Sequence, residues 1–152
     1  MLKAAEYYRK VNVLSLDVTA GALVCALFFA KILSVSIGYF ELTALGLTVW
    51  IIYTTDHLGD ARKIPSPAST TRHRFHQDHF NTLRKLLVIA IILDTVTLYF
   101  MRIQILKWGI VLAGGVFVYL ATQQSLKFFK EIFISVLFTC GILLPSVSIT
   151  GF

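Results

Sequence analysis

The sequence predicts an all-α, polytopic transmembrane helix bundle of about five spans. Three observations predict it. Of 152 residues, 57% are hydrophobic and only 14% are charged, and the mean hydropathy is +0.76. Soluble domains carry about 25% charged residues, and a chain of this length has too small an interior to hide so much apolar surface. The apolar residues also come in continuous runs rather than in alternation, which favours helices over a membrane barrel. Finally, the basic residues flank those runs. Together these exclude a soluble globular enzyme, a disordered chain and a disulfide scaffold.

The runs cover 11–33, 40–54, 86–101, 105–121 and 132–149. A bilayer core asks for about 20 helical residues, with about 17 as a working minimum. The connectors 34–39 and 102–104 are tight, so the helices they join should be antiparallel neighbours. The first run is too long for a signal-peptide core and lacks a small-x-small cleavage step, so it is expected to remain as a signal anchor. One side of the membrane collects Lys3, Arg9, Lys10, Arg62, Lys63, Arg72, Arg74, Arg84, Lys85, Lys127 and Lys130, against Lys31, Arg102 and Lys107 on the other. The positive-inside rule then puts the N-terminus in the cytoplasm, together with a long connector at about 55–85. Residues 1–152 form a single transmembrane domain on this reading, expected in a bacterial inner (plasma) membrane.

The net charge of +6 would suggest nucleic acid in a soluble protein. Here it is explained by topology and anionic lipid, and no nucleic acid is expected. Cys25 and Cys140 lie inside apolar runs without CxxC spacing and are expected to pack rather than bind metal. Asp17 and Asp94 fall within runs, where a carboxylate must face the bundle interior or a wet cavity. Gly114–Gly115 suits close helix approach. Tyr39, Phe40, Trp50, Tyr99 and Trp108 sit near run ends, and Gln123 and Gln124 are expected at the interface.

The central connector reads TTDHLGDARKIPSPASTTRHRFHQDHFNTLRK. It is about thirty residues long, where a plain helix connection needs two to eight. All four histidines of the chain, His57, His73, His76 and His79, lie in it. Asp56 and Asp60 stand at i, i+4 and would share one helix face. Two such carboxylates repel unless a cation lies between them, and magnesium suits carboxylate, water and phosphate oxygens. The plainer alternative is a pair of solvated acids neutralised by Arg62 and Lys63. Pro65 and Pro67 break the helix, so the chain can fold back and carry 69–81 over the acids. Arg72 and Arg74 are suited to bidentate phosphate contact, with His76 beside them as a further substrate contact. His73, His76 and His79 drift about 60° per step on a helix, so at most two could serve one metal. A zinc or iron pair completed by Asp60 or Asp78, or an amphipathic cytoplasmic helix at headgroup level, remain alternatives. No catalytic residue is assigned.

An apolar span ending in DxxxD, a Pro-containing loop and an R-x-R element resemble the UbiA superfamily of membrane prenyltransferases over 54–74. The resemblance implies a helical membrane fold that binds magnesium and an isoprenoid diphosphate, and passes the prenyl chain to a lipid-soluble acceptor. By it, Asp56 and Asp60 match the first metal motif, and Arg72 and Arg74 the diphosphate-binding element. The chain has Thr55-Asp56 where the family has Asn-Asp, and no second Asp-rich loop follows. A half-length or divergent member is therefore expected, a second acidic cluster coming from another copy in a homo-oligomer. The competing function is a non-catalytic subunit of a larger membrane complex, binding partners or lipid through its His/Arg-rich connector.

Overall fold

The computed structural model describes residues 2–65, 67–122 and 130–150. Among the described residues it is all-helical: α1 (Leu2–Val13), α2 (Leu16–Ile32), α3 (Tyr39–Lys63), α4 (Thr71–Asp78), α5 (Phe80–Tyr99), α6 (Ile103–Thr122) and α7 (Lys130–Thr150). Gln123, Gln124 and Lys127, read as interfacial or cytoplasmic, lie outside the described residues. The chain divides into two compact units, one of residues 1–22 and 46–96 and one of 23–45 and 97–152.

The helix expected to run unbroken through 11–33 is instead two helices. α1 stops at Val13, Ser15 takes a left-handed φ of 57°, and α2 leaves at 76° to α1. A non-glycine residue in that region cannot continue a right-handed helix. The break exposes carbonyls at the end of α1, which distant side chains then satisfy. Trp50 Nε1 donates to the Leu14 carbonyl at 3.1 Å, and Asn12 Nδ2 spans the bend to Asp17 Oδ2 at 2.7 Å. Asp17 sits in the first turn of α2, where the helix dipole favours a carboxylate.

The connector placed at 55–85 is also mostly helix. α3 runs on through Asp56 and Asp60 to Lys63, α4 fills the middle, and α5 already starts at Phe80. The extension of α3 has a packing reason, since Leu58 and Ala61 are buried on it, and an electrostatic one, since Arg62 and Lys63 end it. Irregular backbone is confined to a short stretch around Pro65 and Pro67.

In the first unit α3 and α5 are joined by Thr48 Oγ1, which donates to Asp94 Oδ2 at 2.9 Å. Asp94, the acid within the third apolar run, thus finds a partner on a neighbouring helix. In the second unit α6 and α7 interlock through glycines. A Cβ on Gly115 would lie 3.2 Å from Leu137 Cδ2, and one on Gly141 3.6 Å from Leu112 Cδ2. Each glycine makes room for a leucine of the other helix, whereas Gly114 faces open space.

Among the described residues one helix, Ile132–Thr150, is long and apolar enough to cross a membrane, and the bent pair α1–α2 raises that to two if it counts as one span. The apolar part of α6, Ile103–Tyr119, is shorter, and α5 carries Arg84, Lys85 and Asp94. Among the described residues, one or two helices rather than the expected five thus have the length and apolarity of a membrane span.

Candidate functional site

The residues singled out between Asp56 and His79 belong to the first unit. Its local geometry begins with the turn after α3. A helix leaves its last carbonyls unsatisfied. Gln77 of α4 answers this: its Nε2 donates to the Ala61 and Ile64 carbonyls, each at 3.0 Å, and its Oε1 accepts from the Ala68 amide at 2.9 Å. One amide thus ties the end of α3, the proline turn and α4 together. Thr70 caps α4 by accepting from the His73 amide, and Arg62 lies 5.1 Å from the Phe80 ring centroid at the start of α5. The chain does fold back over the end of α3.

The fold separates the residues expected to act together. Arg72 turns inward and donates from Nη2 to Asn12 Oδ1 at 2.8 Å, on the C-terminal turn of α1. Arg74, two residues on, is exposed and donates from Nε to the Ala68 carbonyl at 3.1 Å. Residues two apart on a helix do not share a face, so the R-x-R spacing that suits a loop divides the pair once α4 forms. The histidines divide likewise. His73 Nδ1 lies 2.9 Å from Thr70 Oγ1, and His79 is exposed, stacked on Phe75 at 4.3 Å. His76 points inward and is only 1% exposed.

His76 meets His57 of α3, their ring centroids 5.3 Å apart and 66° from parallel. His76 Nδ1 lies 2.9 Å from the Arg72 carbonyl. A carbonyl only accepts, so Nδ1 carries the proton and Nε2 presents its lone pair. Burial holds the His76 imidazolium form down, against the support of that carbonyl. For His57, burial first and then the Arg72 guanidinium and His76 push the pKa down to about 4, while Asp60 opposes them. Both rings are therefore neutral at pH 7. His57 Nε2 and Asp17 Oδ1 are buried with no hydrogen bond.

Asp56 and Asp60 are half-buried, one turn apart on α3. Asp60 favours the His57 imidazolium and Arg72 opposes it. Among the described residues no three His, Cys, Asp or Glu side chains gather as a ready metal cage. Sequence reasoning missed His57, Asn12 and Gln77. The available signal for His57 was its position between the two acids. Asn12 and Gln77 carry no local signal, because both act on residues distant in sequence.

No family model, curated protein or solved structure matches this chain.

Proposed function

We propose that this chain is a five-span integral membrane protein, UbiA-like in plan, that receives an isoprenoid diphosphate where α4 lies against the end of α3. The observation that carries the reading is the placement of Arg72 on α4, which Gln77 ties back to the Ala61 and Ile64 carbonyls at the end of α3, just beyond Asp56 and Asp60. The five-span plan is supported by apolar side chains turned outward on α5 and α6. Ile92 is 58% exposed, Val111 67% and Phe117 74%, and such surface is stable in lipid rather than water. The positive-inside rule orients the N-terminus and α4 to the cytoplasm.

Magnesium fits the acids present. The ion takes one or two carboxylates plus substrate phosphates and water, and Asp56 and Asp60 are the residues that would hold it. When bound it would neutralise diphosphate charge and favour departure of the leaving group. The chain's own residues do the rest. Arg72 supplies a fixed positive charge, aimed by Asn12, and His76 braces the α4 turn that carries it. Arg74 has a different task, since its bond to Ala68 fixes the proline turn. The expected reaction is prenyl transfer to a lipid-soluble acceptor, with a second copy supplying any second acidic cluster.

The test is binding of farnesyl diphosphate to the purified protein in lipid nanodiscs. Binding should require magnesium and weaken at least about tenfold in an Asp56→Asn, Asp60→Asn variant of unchanged helicity. Equal binding by that variant contradicts the reading. A second reading, a non-catalytic subunit, is favoured by one observation: Arg72, His76 and Gln77 all make internal bonds, as the parts of a structural brace do. Co-purification of other chains in mild detergent, without diphosphate binding, would select it.

A further inference from the structure

We propose that α1 is an interfacial helix that lies along an anionic bilayer surface while α2 enters the membrane. This rests on the membrane reading above and adds a surface and a partner. The 76° angle between the two helices sets α1 nearly in the membrane plane if α2 runs near the normal. The bend is a built feature rather than a frayed end. Asn12 bridges it to Asp17, Trp50 caps Leu14, and Arg72 holds Asn12 from α4.

The exposed residues of α1 have the composition such a position requires. Tyr7 is 73% exposed and Tyr8 66%, and Arg9 and Lys10 beside them are exposed too. Tyr7 and Val11 stand at i, i+4 on one face, whereas Asn12, which meets α4, lies about 100° further round. The face of Tyr7 and Val11 is thus different from the one that meets α4, whereas Tyr8, four residues before Asn12, lies on the α4 side. Tyrosine rings favour the headgroup level, and arginine and lysine there attract anionic lipid. A continuous span through α1 and α2 would carry Arg9 and Lys10 into hydrocarbon, and a helix standing in water would leave both tyrosines uncovered. The surface position covers Tyr7 and keeps both cations out of hydrocarbon.

The test uses the full chain in nanodiscs, with Cys25→Ser and Cys140→Ser as background and a spin label at one site at a time. Tyr7→Cys and Val11→Cys labels should report the headgroup–acyl boundary, and an Arg9→Cys label should report water. In phosphatidylglycerol, Lys10→Gln should shift the docked-to-free ratio of α1 about fivefold toward free, an effect absent in phosphatidylcholine. A Val136→Cys label on α7 serves as the control. Lipid contact at 136 with water at Tyr7 and Val11 overturns this proposal alone, as does mid-bilayer depth at Tyr7. Water at every site overturns the membrane reading as well.

Discussion

Glu41 and His57 belong to the same helix and meet burial in opposite ways. Glu41, in the second unit, is 5% exposed and pairs with Arg102 Nε at 3.4 Å. Arg102 in turn donates to the Ser36 carbonyl at 3.4 Å, and the Glu41 carboxylate folds back over Gly38, where any Cβ would collide with it. That arrangement is closed. His57, in the first unit, adapts by giving up its charge, with a pKa pushed down to about 4 by burial and by Arg72. Its Nε2 is left without a hydrogen bond. A structural ion pair satisfies itself. A polar cluster that keeps a buried ring nitrogen unused retains the capacity to bind something else.

Four measurements break or sharpen this contrast. The largest effect should come from Arg102→Ala, which leaves Glu41 buried without its cation. Losing a buried partner costs about 3–5 kcal/mol, and because Arg102 is 44% exposed we expect about 2 kcal/mol in detergent unfolding. Replacing both residues, Glu41→Gln with Arg102→Met, should recover most of that loss. If Arg102→Ala costs nothing, the pair is no more than a surface bridge.

Arg72→Ala should cost about 1–2 kcal/mol, because Asn12 loses a charged donor at the end of α1. Arg72→Lys should restore part of it. An Arg72→Ala protein as stable as the wild type would remove the brace from the account.

The third effect is pH dependence. His57 is protonated near pH 6.5 when unfolded but only near pH 4 when folded, so the unfolded state binds the proton first on acidification. His57's contribution is fully present above pH 6.5 and declines as pH falls toward 4. Melting temperature should drop across that window, and His57→Phe should flatten the slope. A slope unchanged by His57→Phe would assign it to other groups.

The smallest effect belongs to Thr48→Ala, which removes the bond to Asp94 and should cost about 0.6 kcal/mol. A cost several times larger would make Asp94 a buried charge dependent on Thr48.

Helix was legible wherever composition decided it. The third, fourth and fifth apolar runs became α5, α6 and α7 with small changes at their ends. The fold-back at Pro65 and Pro67 was legible from proline geometry, and the shared face of Asp56 and Asp60 from spacing. The bend at Ser15 was not. No proline or glycine marks it, and its stability comes from Trp50 and Arg72, far away in sequence. The divergence of Arg72 and Arg74 was hidden for a related reason. Arg72 and Arg74 were read together as phosphate contacts from residue type alone, and the helix that forms turns them apart. His57 was overlooked because a histidine between two aspartates reads as a solvated residue until α4 buries it.

The most direct test of the central claim, that Asp56, Asp60 and Arg72 share a site for a diphosphate head, is electron paramagnetic resonance with Mn²⁺ in place of magnesium. In nanodiscs with a non-hydrolysable isoprenoid diphosphate analogue, the account predicts immobilised Mn²⁺ coupled to phosphorus. That signal should vanish in Asp56→Asn, Asp60→Asn. A free-ion spectrum identical in the wild type and the variant would contradict it.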